Sequence, residues 1–217
     1  MLEKRNLLFW RAAVFALASL SLACLLGHFY RLWTMHWFAC WVLVPATILM
    51  AGIVFHPGAA RAGISRLILD GALGGVLAAV AYDLYRLPFV LNGAPLFKVF
   101  AKFGELLLQR NDPAWAVLTT GWTYHFSNGA ALGIMFLALV WKAPPRFLFW
   151  GAVLWALTVE MILLLSPYSA FVGLPLDGRF LFLTGSAHLI FGCALGAWSL
   201  FRRAKWTEPT PAATLAA

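Results

Sequence analysis

Six stretches of this chain, roughly 7–27, 36–56, 67–91, 114–141, 147–166 and 180–201, are long, apolar and poor in charge. A bilayer core takes about 20 residues of α-helix to cross, at 1.5 Å per residue. Hydrocarbon offers no partner to an exposed backbone amide, so such segments cross as helices that satisfy their own N–H and C=O groups. The expected fold is therefore an all-α integral membrane protein, with six transmembrane helices in one membrane domain over 1–206. Prolines mark several ends of the stretches, where they are tolerated. Pro57 closes the second, Pro88 lies near the end of the third, Pro144 and Pro145 separate the fourth from the fifth, and Pro167 stops the fifth.

Composition supports a bilayer environment. Hydrophobic residues make up 63% and charged residues 11%, against about 45–50% and 25% in soluble domains. The 18 Phe and 11 Trp suit a chain whose aromatic side chains gather where hydrocarbon meets headgroups. The net charge of +8 is spread over short loops and tails, which excludes a nucleic-acid-binding face. Those charges report topology instead. Lys4, Arg5, Arg61, Arg66, Lys142, Arg146, Arg202, Arg203 and Lys205 fall on one side, and Arg31, Lys98, Lys102, Arg110 and Arg179 on the other. Both termini are thus expected to be cytoplasmic, in a cell (inner or plasma) membrane. The first stretch is too long for a signal-peptide core and Ser21-Leu-Ala-Cys24 is a poor lipobox, so an uncleaved first span is expected. Cys24, Cys40 and Cys193 sit singly in apolar runs and read as packing residues.

One basic stretch is discordant. Between Ala94 and Arg110, Lys98, Lys102, Glu105 and Gln109 fall on one helical face, while Phe97, Phe100, Phe103, Leu106 and Leu107 fall on the other. This predicts an amphipathic helix at about 94–110 lying in the outer interface. It reads as a surface connector, with a lid over a lipid-facing entrance as the functional alternative. The tail, 207–217, is rich in Pro, Thr and Ala and is expected to be disordered.

An internal repeat organises the polar residues. The fourth stretch contains His125-Phe-Ser-Asn-Gly129-Ala-Ala-Leu-Gly133 and the sixth contains His188-Leu-Ile-Phe-Gly192-Cys-Ala-Leu-Gly196, both HxxxGxALG. Upstream of each come an intramembrane acid, a proline and a Gly-x-Pro-Leu: Asp83, Pro88 and Gly93–Leu96 in the first, Glu160, Pro167 and Gly173–Leu176 in the second. Spans 3–4 and 5–6 therefore read as a duplicated hairpin. Because both copies run in the same direction, the implied pseudo-two-fold axis lies along the membrane normal. It would gather both acids and both histidines around one centre in the outer half of the bilayer.

Ionisable groups inside a membrane cost about 2.5–3.5 kcal/mol each and usually face a protein interior and a function. A transition metal (Fe, Mn or Zn, mononuclear or dinuclear) held by His125, His188, Glu160 and Asp83 would explain all four, since imidazole and carboxylate suit these ions. Asn128, Tyr124, Arg86, Tyr82 and Tyr85 would then hold the ligands from behind. The activity would be that of a metal-dependent oxidoreductase or hydrolase acting on a lipid-soluble substrate or quinone. A second reading has His125 and His188 ligate one haem b, with Gly129, Gly133, Gly192 and Gly196 making room for the porphyrin and Arg86 near a propionate. A third is a proton- or cation-coupled transporter using the same residues.

Blander roles are also open. Asp83 and Arg86 are one helical turn apart and suit a structural ion pair. Glu160 has no such basic neighbour. Asp70 reads as a helix-end residue with interfacial access, and His28, His36 and His56 as interfacial. Spans 1 and 2 carry almost no buried polarity and read as a hydrophobic brace, available for a membrane partner protein.

Overall fold

A computed structural model describes residues 2–61, 63–108, 112–173 and 176–207. Every regular element among them is helical: α1 (Leu2–Phe29), α2 (Met35–Phe55), α3 (Pro57–Arg61), α4 (Ile64–Leu91), α5 (Lys98–Leu107), α6 (Ala114–Val140), α7 (Pro145–Leu164), α8 (Tyr168–Val172) and α9 (Gly178–Thr207). Six of these, α1, α2, α4, α6, α7 and α9, are long and apolar enough to cross a membrane. The architecture is that of a multi-pass helical membrane protein. Most of the tail, 208–217, lies outside the described residues, as do Leu174 and Pro175 of the second Gly-x-Pro-Leu.

The prolines act as local devices. In α2 the helix widens to a π turn over Ala39–Leu43 just ahead of Pro45. A proline ring collides with the carbonyl four residues back, here that of Trp41, and the wider turn moves that carbonyl aside. Pro88 does not end α4, which continues to Leu91. The Asn92 side-chain amide donates to the Pro88 carbonyl at 2.8 Å and closes the terminus.

α4 is the centre of the bundle, packed along α6 on one side and α9 on the other. α7 packs on α9, α1 on α6, and α2 on the outside of α1. Leu69, Leu73, Leu77 and Leu84 of α4 face outward and are exposed, as expected of a surface against lipid. Small residues set the spacing inside. A Cβ added at Gly75 would run into the carbonyl of Gly129, and one at Gly133 into the carbonyl of Gly71, so α4 and α6 touch backbone to backbone. α7 and α9 meet in the same manner at Gly192, whose added Cβ would lie 2.6 Å from Val153 Cα.

The start of α1 and the end of α9 lie at one end of the bundle, which is closed by polar contacts between distant segments. Arg11 of α1 donates through Nε and Nη2 to the carbonyls of Ala138 and Leu139, 2.7 Å each, covering the exposed end of α6. Asp70 departs from its expected interfacial role, since it is buried. Oδ1 accepts from Arg202 Nε at 2.8 Å, Oδ2 from the Trp206 indole at 2.7 Å, and its backbone carbonyl from the Trp198 indole at 2.9 Å. These bonds clamp α4 to the last turns of α9.

The stretch expected at 94–110 forms the shorter helix α5, and residues 109–111 lie outside the described residues. α5 runs antiparallel alongside the first turns of α6. Gly121 packs on the Phe100 carbonyl and Gly104 on the Val117 carbonyl, four residues on in one helix and four back in the other. Val99, Phe100 and Phe103 are buried by this contact, while Glu105 is exposed.

Candidate functional site

In the half of the bundle away from the termini, α1, α4, α5, α6, α7, α8 and α9 enclose a cavity of about 110 Å³. His125, His188, Glu160, Arg86, Tyr82, Asn128 and Gly129 line it, with Leu, Val, Phe, Trp and Tyr side chains making up most of the wall. It lies where the two hairpins separate. α6 and α7 touch over only a few residues, among them Trp155, whose indole donates to the Leu132 carbonyl at 3.2 Å. By contrast, α4 and α9 pack along much of their length. A two-fold axis would make those two contacts equal, so the bundle departs from the symmetric arrangement expected around one centre.

The four expected metal ligands form two pairs rather than one cluster. His125 Nε2 lies 2.8 Å from Asp83 Oδ2, and His188 Nδ1 lies 2.9 Å from Glu160 Oε2. Each acid sits on the first helix of its hairpin and each histidine on the second. Tyr82 stands between the pairs, its ring centroid 6.1 Å from that of His125 and 5.0 Å from that of His188. Among the described residues no group of three or more His, Cys, Asp and Glu side chains is placed to hold a metal ion.

The surrounding groups settle which ring nitrogens carry hydrogen. His188 Nδ1 faces two acceptors, Glu160 Oε2 and the Thr184 carbonyl, both at 2.9 Å, so it is the donor nitrogen. His125 Nε2 faces the Asp83 carboxylate and donates likewise. That leaves His188 Nε2 and His125 Nδ1 as the nitrogens free to serve the cavity.

The two acids differ in their other contacts. Asp83 Oδ1 also meets Arg86 Nη1 at 3.4 Å. The Arg86 guanidinium in turn donates to the Leu96 carbonyl and lies over the rings of Tyr82 (4.6 Å), Phe97 (5.2 Å) and Phe100 (5.7 Å). Both side chains are nearly inaccessible, at 10% and 5%. Glu160 is as deeply buried, at 7%, but no arginine or lysine makes an ion pair with it among the described residues, and its Oε1 has no hydrogen-bond partner. Arg86 Nε is likewise buried without a partner.

The residues expected to hold the ligands from behind divide. Tyr82 and Arg86 belong to the cavity. Tyr124 and Asn128 bond to α1, where the Tyr124 hydroxyl donates to the Ser21 carbonyl at 2.9 Å and Ser21 Oγ donates to Asn128 Oδ1 at 2.6 Å, and Asn128 also borders the cavity. Tyr85 donates to Ser186 Oγ at 2.9 Å, joining α4 to α9. The four motif glycines are contact points between helices. Gly129 lies on the Gly75 carbonyl and Ala79, Gly133 on the Gly71 carbonyl, Gly192 on the Ala152 carbonyl and Ala156, and Gly196 on Phe149. Neighbouring helices thus fill the space that the haem reading needs for a porphyrin.

Sequence reasoning missed the aromatic wall contributed by Trp155, Tyr168, Phe180 and Phe191. Only Phe191 carried a signal, lying three residues after His188 on the same helical face. Comparison of the chain with protein-family models, with curated proteins and with solved structures finds no match.

Proposed function

We propose that this chain is a proton-coupled membrane protein in which a small ligand, entering the cavity, exchanges a proton with the Glu160–His188 pair. One observation carries the reading: two buried carboxylates share the site with a single buried guanidinium. Arg86 stands against Asp83 and neutralises it. The ion pair that Glu160 makes among the described residues is with a histidine, Arg86 being bonded to Asp83 instead, and an incompletely compensated charge in an apolar interior is costly. The Glu160–His188 pair therefore carries one proton when the cavity is empty. A ligand that alters that balance releases it, which is the coupling step of a proton-driven carrier. The duplicated hairpin accounts for the paired design, since each copy keeps its own acid on its own histidine.

The test is an infrared pH titration of the protein in nanodiscs. A protonated-carboxyl band is expected in wild type and in Asp83→Asn, and is lost in Glu160→Gln. No carboxyl band in the wild type and no ring signal from a charged His188 would overturn the proposal.

A second reading is favoured by the way the histidines are held. Metal-ligating imidazoles usually give their other N–H to a carboxylate, and both His125 and His188 do so. Here Fe, Mn or Zn would bind His125 Nδ1 and His188 Nε2, with Asp83 and Glu160 as orienting groups rather than ligands. The ion would serve a lipid-soluble substrate or quinone. Metal analysis of protein purified in mild detergent distinguishes the two. A stoichiometric transition metal, lost in His125→Ala and in His188→Ala, supports the second reading. A trace unaffected by either change removes it.

A further inference from the structure

The proton-exchange reading leaves the ligand unspecified, and Glu160 Oε1 bears on its class. This oxygen is buried, has no partner, and belongs to a side chain that lines the cavity. The rings of Tyr82, Phe100, Trp155, Tyr168, Phe180 and Phe191 line the same cavity. A buried carboxylate with one oxygen lacking a partner, in a cavity lined by aromatic rings, is the chemistry that recognises an organic ammonium ion, because ring faces attract cations and bulky N-alkyl groups need apolar contact. The protein itself demonstrates the principle in the same cavity, where Arg86 is held over Tyr82, Phe97 and Phe100.

We infer that the ligand is a small lipophilic monocation, a tertiary or quaternary ammonium, seated on Glu160 Oε1 among these rings. The inference rests on the proton-exchange reading of the same pair. Its step balances: the cation enters, the proton held by Glu160–His188 leaves to water, and the net charge of the cavity stays the same. The charged and titratable groups facing Glu160 are His188 of α9, Tyr82 and Arg86 of α4, and Tyr168 of α8, with His125 also lining the cavity and Asp83 bonded behind it. Arg86 makes its ion pair with Asp83, which leaves Glu160 paired with His188 alone among the described residues. The segments contributed by α1 and α5 bring apolar residues alone, Leu22 and Leu25 from one, Val99, Phe100 and Phe103 from the other.

The experiment titrates benzyltrimethylammonium into the protein in nanodiscs by calorimetry, in two buffers of different ionisation enthalpy, with neopentylbenzene as the uncharged isostere. Saturable binding with release of about one proton per cation is expected, and the isostere should bind far more weakly. Glu160→Gln should weaken cation binding about thirtyfold or more. Phe191→Leu, which keeps the charges, should weaken it up to about tenfold and leave proton release unchanged. Size-exclusion profiles confirm that each variant is folded. Equal binding of the isostere, cation binding without proton release, or full affinity in folded Glu160→Gln would each overturn the inference. If the infrared experiment finds the Glu160 proton and the cation fails to displace it, the ligand class is wrong and the proton-exchange reading stands. If that proton is missing, the underlying reading is the one that fails.

Discussion

Asp83 and Glu160 hold matching positions in two successive hairpins, each bonded to a histidine on the following long helix at 2.8 and 2.9 Å. One residue separates their chemistry. Three positions after Asp83 the chain has Arg86, and three positions after Glu160 it has Leu163. The arginine gives the first acid a fixed counter-charge, bonded and stacked in place, and makes that pair a permanent part of the fold. The leucine gives the second acid no such counter-charge and leaves it bonded to its histidine, and on the proposed reading its balance comes from something that moves: a proton or a cationic ligand. On that reading a single side chain divides two similar pairs into a structural element and an exchange site.

The harshest way to break the comparison is to make the first hairpin resemble the second. Arg86→Leu leaves Asp83 buried without its guanidinium, and removing one member of a buried ion pair costs about 3–5 kcal/mol. Thermal unfolding in detergent should show that loss, with Asp83→Asn in the same chain recovering most of it. Gly75→Ala tests the frame beneath both pairs. Its new methyl would meet the Gly129 backbone, which cannot yield as a side chain can, for an expected loss of about 3 kcal/mol. A neutral result would mean that α4 and α6 are not in backbone contact.

Asp70 sharpens the comparison from the other end of the bundle, as a third buried acid with a fixed cation. Asp70→Asn keeps an acceptor for the Trp206 indole but loses the Arg202 charge, and a loss of about 2 kcal/mol is expected. The smallest effect belongs to Glu160→Gln. An amide is close in shape to a carboxyl that already shares a proton with His188, so stability should change by under about 1 kcal/mol. A loss as large as that of Arg86→Leu would show Glu160 to be a structural ion as well.

Much of this was legible in the chain. The six spans follow from runs of apolar residues that no other element can carry through a bilayer. The Asp83–Arg86 contact follows from their spacing of one helical turn, and HxxxGxALG with its flanks singles out both acids and both histidines, which bond in pairs. Partner choice was not legible. Spacing places His125, Glu160 and their counterparts at one depth, but whether each acid turns to its own hairpin or to a common centre depends on how hairpins pack. That packing is set by glycines whose role in the sequence was ambiguous between a helix contact and a ligand slot. The Asp70 clamp joins residues more than 130 positions apart, and nothing local to Asp70 announces Arg202 or Trp206. The course of α5 was hidden for a related reason. Its apolar face suits lipid headgroups and a protein groove equally, and only Gly104 and Gly121 mark the groove.

On the proposed reading Glu160 and Asp83 differ in their access to a proton, and carbodiimide labelling separates them. A hydrophobic carbodiimide such as dicyclohexylcarbodiimide reacts with a protonated carboxyl in an apolar setting and spares one held as an ion. Peptide mass spectrometry of the labelled protein should find the adduct on Glu160, with Asp83 unmodified in wild type and newly modified in Arg86→Leu. Labelling of Asp83 in wild type to the same extent as Glu160, or of neither acid at any pH where the protein is folded, would contradict the account.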